Sequence, residues 1–167
     1  VYVLQQYFLP QRKLDLLDEK DTKEAPYKLW EKRGLVTVNT GSRVDFSLVT
    51  AWFVEMREKY KIDTFKVGYD RALAGYWVEE MRANGFDMES VAQGPFTWAQ
   101  PMREMGAAFT DKIVNYNANP VLVWCMTNTA VKKTGLNNIQ PIKITEKRRI
   151  DGAVSLLNAW VVYVKYS

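Results

Sequence analysis

The chain has 167 residues, 47% of them hydrophobic and 25% charged, with a net charge of +4 and an isoelectric point near 9.1. That much apolar material supports one domain with a real core and excludes a disordered segment. A single cysteine, Cys125, and no histidine exclude an intramolecular disulfide, the usual zinc sites and any base-and-nucleophile pair built on histidine. Any bound metal must then be held by oxygen, so magnesium or manganese is expected.

The positive excess is modest and favours an acidic partner, nucleic acid first. With no apolar run long enough to span a bilayer and no signal sequence, a soluble intracellular protein without membrane contact is expected. Residues 1–9 are rich in β-branched and aromatic side chains and end at Pro10, which reads as a strand. Because this strand-like stretch opens on Val1 rather than Met, the chain is expected to be a piece of something longer, with the strand that should pair first missing.

Residues 11–25 are mostly charged, with Leu14, Leu16 and Leu17 as the apolar cluster, and read as an exposed connection holding one helical turn. Pro26 opens a short helix with Leu29 and Trp30 turned inward and Gly34 as its stop. Residues 35–40 form a second strand. Asp45 is the N-cap of a helix that carries Phe46, Val49, Trp52, Phe53 and Met56 on one side. Residues 64–70 then make a strand with Phe65, Val67 and Tyr69 on one face and Asp70 at its C-terminal end.

Helical periodicity follows over 71–84 through Leu73, Trp77, Val78 and Met81, and Gly85 supplies the stop. With the short strand at 90–93 this predicts a βαβ unit and local parallel pairing. Another helix starts at Thr97 or Trp98, and Pro120 opens a helix whose Cys125 reads as packing rather than nucleophile. Residues 129–133 and 139–145 form a hairpin bearing Lys132, Lys133 and Lys143, which leads through Lys147, Arg148 and Arg149 to Asp151. Beyond it Ile150, Val154, Leu157, Val161 and Val164 recur at spacings of one helix face. The predicted fold is α/β, a mixed sheet flanked by helices with the hairpin added before the C-terminal helix.

Two aspartates stand out. Ligands on such sheets gather at the C-terminal ends of parallel strands, where Asp70 lies, and Asp151 opens a helix whose dipole favours negative charge. Each can be read as a helix-capping residue or as a ligand of a divalent ion. Two carboxylates alone are fewer than a two-metal site normally uses. The basic residues of the hairpin and its exit can likewise be a solvated face or a phosphate-binding patch.

The order of motifs narrows these alternatives. Phe8-Leu9-Pro10, Pro26-Tyr27 with Trp30 and Gly34, Asn39-Thr40-Gly41 with Val44-Asp45, and Gly68-Tyr69-Asp70-Arg71 come first. Val91-Ala92-Gln93-Gly94, Asn119-Pro120-Val121-Leu122 with Trp124 and Asn128, Pro141 with Lys143, and Arg149-Ile150-Asp151-Gly152 follow. Together, over nearly the whole chain, they resemble the nuclease domain of bacteriophage large terminase subunits, in particular the prophage type found in bacterial genomes.

The resemblance implies a single domain over 1–167 with a ribonuclease H-like fold, lacking its N-terminal part and the ATPase motor that precedes the nuclease in the family. It implies a metal-dependent endonuclease that cuts concatemeric double-stranded DNA in the host cytoplasm, with a small terminase subunit and the portal as partners of the whole protein. By position Asp70 resembles the family's second acidic ligand of Mg2+ or Mn2+ and Asp151 its last. No acidic residue in 1–10 matches the first ligand, so the two-metal site is expected to be incomplete and this fragment's cutting impaired. Lys132, Lys133, Lys143, Lys147, Arg148 and Arg149 are the expected DNA-binding residues. A transposase- or resolvase-like ribonuclease H enzyme, and a non-catalytic module that holds DNA or docks on the portal, are the competing readings.

Overall fold

A computed structural model describes residues 1–73 and 75–167, with Leu73 described in its backbone alone. The expected inward position of Leu73 and the place of Ala74 in the helix therefore lie outside the described residues. The chain forms two compact units, one of Leu4–Asp63 and the other of Val1–Val3 with Thr64–Ser167.

In the first unit, β1 (Tyr7–Pro10) pairs in parallel with β2 (Val36–Asn39), from Tyr7 opposite Val36 to Pro10 opposite Asn39. The strand expected over 1–9 is divided. Its first residues belong to the other unit, where Tyr2 bridges Asn115 and the Val3 N–H donates to the Asn115 carbonyl at 2.8 Å. The charged stretch after Pro10 holds two helices, α1 (Gln11–Asp15) and α2 (Glu19–Glu24), instead of one turn. A capping box starts α2: the Asp18 carboxylate accepts from the Asp21 N–H at 2.7 Å while Asp21 reaches back to the Asp18 N–H. Such reciprocal capping satisfies two helix-end donors and lets a charged segment become helical without burying a face.

In α3 (Tyr27–Lys32), Trp30 is buried as expected, but its inward partner is Tyr27, whose ring meets the Trp30 ring edge-on at 5.5 Å. Leu29 is 52% exposed, because residues three apart share a helix face and Leu29 falls off the one that Tyr27 and Trp30 define. Gly34 ends the helix with φ of +74°, a conformation glycine adopts without a side-chain clash. Asp45 caps α4 (Phe46–Glu58), accepting from the Ser47 N–H at 3.0 Å and the Ser47 hydroxyl at 2.6 Å. Of α4's expected face, Val49, Trp52, Phe53 and Met56 are half-buried within this chain and Phe46 is exposed.

In the second unit, β3 (Val67–Asp70), a 3-10 turn (Arg71–Leu73), α5 (Gly75–Ala83) and β4 (Met88–Val91) form the expected βαβ unit, with β3 and β4 parallel and Asp70 opposite Val91. Strand β4 begins two residues earlier than predicted, at Met88, soon after Gly85 and the buried Phe86. Helix α6 (Pro95–Thr110) begins at Pro95, whose missing N–H costs nothing in a first turn. Asn119 caps α7 (Pro120–Thr127) through the Val121 N–H at 2.9 Å. The hairpin β5 (Thr129–Thr134) and β6 (Asn138–Lys143) pairs Thr129 with Lys143 and Thr134 with Asn138, and α8 (Asp151–Tyr166) closes the chain.

The single mixed sheet of the prediction is not what the described residues form: their ladders are three separate two-stranded sheets, β1–β2, β3–β4 and β5–β6. The four-residue strands are short, and in the second unit it is helices that complete the burial. Helix α8 accordingly does more than lay one apolar face on a sheet. Gly152, Ala153, Leu157, Asn158, Trp160 and Val162 are all buried, whereas Val154, Val161 and Val164 of the predicted stripe are only partly so. One side of α8 joins Trp98, Met105 and Ala108 of α6 in a core centred on Leu157 and Trp160, and another meets β3. A helix covered from several sides buries a wider arc than the stripe of a surface helix.

Candidate active site

Both candidate ligands lie in the second unit. Asp70 ends β3, where its Oδ1 accepts from the Ala72 N–H at 3.0 Å and its Oδ2 accepts from the Gln93 amide. The first contact is the local turn expected of an aspartate after a strand. The second is long-range and fixes the carboxylate's rotation, since Gln93 extends past the end of β4 beside it. The sequence places Gln93 inside a strand, which hides this role; β4 ends at Val91 and leaves the Gln93 side chain free to reach Asp70.

Asp151 is the first residue of α8, not its cap. The N-cap is Ile150, and no side chain of that residue caps the helix. The negative charge sits in the first turn, where the helix dipole favours it, and its exposed carboxylate has no hydrogen-bond or ion-pair partner among the described residues. Two of the turn's N–H groups, those of Gly152 and Ala153, point to the Cys125 sulfur of α7. Burial is the main reason that the Cys125 thiol is pushed up to about 11, with the nearby Asp151 charge adding to the shift and the two N–H contacts opposing it. At neutral pH it is a protonated packing residue, as expected, and it also serves the helix that carries Asp151. Native protein should therefore resist a thiol reagent such as DTNB and react only on unfolding; stoichiometric labelling of the folded protein would contradict this.

Asn128 ties the approach to Asp151. It is 4% exposed; its side-chain amide donates to the Arg149 carbonyl at 3.0 Å, and its own carbonyl accepts from the Ile144 N–H at 2.9 Å. One buried residue after α7 thus holds both the exit of the hairpin and the residue two before Asp151. Its sequence signal was its place in the motif that begins at Asn119, which named the residue without indicating what it binds.

The two carboxylates are brought to one end of a packed strand–helix pair. The Phe65 ring meets the Tyr166 ring at 5.5 Å, and Gly68 lies against Asn158 and Val162. Between Phe65, in the bend just before β3, and Gly68 within it, the contacts step back along α8 from Tyr166 to Asn158 and Val162, so the chain here runs against the direction of the helix. From the Gly68 contact at Asn158 and Val162, Asp151 lies seven to eleven residues back along α8, roughly 10–16 Å along the helix axis, and Asp70 lies two residues on along β3, about 7 Å. The donors are oxygens, which suit magnesium or manganese. Their number is short of a full two-metal set: among the described residues no group of three or more His, Cys, Asp or Glu side chains is placed to hold an ion.

The basic residues divide. Strand alternation places Lys133 and Lys143 on one face of the hairpin and Lys132 on the other, all three exposed. Lys147 and Arg149 are exposed and Arg148 partly buried in the link, where the Arg148 N–H closes a turn on the Thr145 carbonyl at 3.0 Å. The Lys147–Arg149 segment adjoins Asp151 directly, whereas the hairpin lysines do not form one continuous patch. Among the described residues no helix is long and apolar enough to cross a membrane.

Comparison with known proteins identifies the family. The large subunit of the terminase of Enterobacteria phage HK97 is 27% identical over 157 residues, covering 90% of this chain and 29% of that protein. Protein YmfN of Escherichia coli strain K12 is 25% identical over 136 residues, 80% of this chain and again 29% of the relative. The chain thus spans under a third of the length of these relatives. The crystal structure of the HK97 bacteriophage large terminase superposes with a TM-score of 0.79 at 25% identity, over 93% of this chain and 32% of that one. Residues 1–165 match the family described as terminase large subunit, endonuclease domain, and with all but the last two residues inside that match, the chain belongs to this family.

Proposed function

We propose that this chain is the ribonuclease H-like nuclease part of a DNA-packaging terminase, which cuts concatemeric double-stranded DNA, and that Asp70 and Asp151 are ligands of the Mg2+ or Mn2+ it uses. The observation that carries the reading is the antiparallel packing of β3 on α8 through Gly68, which turns the ends bearing Asp70 and Asp151 the same way. Asp70 and Asp151 would hold the divalent ion, which would supply Lewis acidity to a phosphodiester and a lowered pKa to an attacking water. The chain's own residues have separate tasks. Gln93 and the Ala72 N–H orient the Asp70 carboxylate, and the α8 dipole favours a negative charge at Asp151 in the first turn.

Lys147, Arg148 and Arg149, with Lys132, Lys133 and Lys143 on the hairpin, bind phosphates and contribute affinity without reading sequence. In the whole protein the small terminase subunit and the portal are the proposed partners, and the host cytoplasm the place of action. The test is Mn2+-dependent nicking of supercoiled plasmid, expected to be weak because two carboxylates are only part of a two-metal ligand set. Absence of any Mn2+ binding would sink the reading. The triple variant K147A/R148A/R149A is expected to flatten the salt dependence of DNA binding by about one unit of slope for each phosphate contact removed. An unchanged slope would mean that these residues form an ordinary solvated face.

A further inference from the structure

Gly68 sits in the middle of a strand, where a glycine contributes no side-chain packing and weakens the ladder. Its reason for being there is space. A Cβ built on it would lie 2.7 Å from Val162 Cγ2, 3.0 Å from the Asn158 carbonyl oxygen and 3.2 Å from Val91 Cγ2. Two of those neighbours belong to α8. The Asn158 carbonyl is helix backbone, and Asn158 is itself held by the Trp98 indole, which donates to its Oδ1 at 3.1 Å. Val162 is buried and β-branched, with little rotamer freedom. Neither can withdraw, so a methyl group at position 68 forces β3 away from α8 by on the order of 1 Å, the shortfall from a normal carbon–carbon contact.

We infer that Gly68 is a positioning residue that sets the spacing between the strand carrying Asp70 and the helix carrying Asp151. The inference rests on the metal-ligand reading above. Asp70 is two residues beyond Gly68 on the same short strand, and Asp151 belongs to the same rigid helix as Asn158 and Val162. Any separation of strand from helix is therefore passed to the two carboxylates, while the Gln93 contact travels with Asp70 on the paired strand β4.

The test is Mn2+ affinity, measured by EPR of free Mn2+ on the protein without DNA, for the wild type, D70N, G68A, V162A and G68A/V162A. G68A is expected to bind about tenfold or more weakly, because a 1 Å displacement of one ligand is enough to spoil a site. Removing the Val162 methyl groups opens the closest contact, so G68A/V162A should regain about threefold or more of that affinity, the scale on which supporting residues tune a metal site. A folded G68A with wild-type affinity, or a double variant no better than G68A, would overturn the inference.

If G68A does not fold, G68A/V162A is compared with V162A. The Asn158 carbonyl still crowds the new methyl, so the double variant must bind more weakly; equal affinity overturns the proposal, as does a double variant that also stays unfolded. D70N separates the two levels. Affinity unchanged in D70N would discard the metal-ligand reading and Gly68's role with it, whereas affinity lost in D70N and kept in G68A would discard the role of Gly68 alone.

Discussion

Asp70→Asn and Asp151→Asn are each expected to abolish the stabilisation that Mn2+ confers and to lower DNA nicking on the order of 100-fold, at the upper end of what loss of a supporting residue costs a metal site. Asparagine keeps the shape of both side chains. At position 70 its carbonyl can still accept from Ala72, and Gln93 can turn its own oxygen toward the new amide, so the turn survives. At position 151 only the favourable charge at the helix start is lost, a small effect at an exposed site. Thermal melts with and without Mn2+ therefore read ligand loss against an intact fold.

Asp45→Ala is the contrasting control, because its carboxylate is committed to Ser47 at the start of α4. That variant should melt at a lower temperature yet gain as much from Mn2+ as the wild type. The Ser47 hydroxyl, and then the Ser47 N–H, hold the Asp45 carboxyl below its ordinary value of 3.8. A depressed folded pKa means that the cap's contribution is full above that value and is lost as pH falls through the folded pKa, so the gap between Asp45→Ala and wild type should close in acid. A loss of Mn2+ stabilisation in Asp45→Ala, or its retention in both Asn variants, would reverse the assignment.

Leu157→Ala is expected to be the most damaging single change to the fold. Leu157 is 1% exposed and lies with Trp98, Met105, Ala108, Val114 and Trp160 in the core that joins α6 to α8. Truncating a leucine in such a place removes its transfer energy and leaves a cavity, together about 2–5 kcal/mol. Against a total of about 5–15 kcal/mol for a typical domain, that consumes much of the margin. Urea unfolding followed by tryptophan fluorescence should show a lower midpoint with an unchanged slope. A loss under 1 kcal/mol, by the same scale, would mean that the core closes around the gap. Because the same helix begins with Asp151, the variant should also weaken Mn2+ binding as its folded population falls.

Local chemistry was legible wherever a residue's role depends on its chain neighbours. The Asp45 cap, the Gly34 and Gly85 stops, Pro120 at the start of α7, the βαβ unit and the basic hairpin follow from spacing, capping and turn preferences acting over a few residues. Periodicity failed where burial comes from more than one direction. The stripe through Val154, Val161 and Val164 lies at the half-buried edge of α8's buried arc, and periodicity points Leu29 inward although Tyr27 is the partner of Trp30. Charge misled over residues 11–25, since the Asp18–Asp21 capping box stabilises a helix that has no apolar face to announce it.

By itself the amino-acid sequence determined the type of chemistry available. With no histidine and a single cysteine, any bound metal would have to be held by oxygen, and the order of motifs named the family that the comparisons bear out. It also singled out Asp70 and Asp151, but as two aspartates with equally good local explanations. Only the tertiary structure decided their circumstances: Asp70 is turned by Gln93 from the neighbouring strand, Asp151 is no cap because Ile150 holds that position, and the helix start is served by Cys125 and Asn128. The physical reason is that a cap or turn is fixed by torsions within a few residues. The distance between residues 70 and 151 depends instead on how closely a strand can approach a helix, and here that is set by the absence of a single methyl group at Gly68.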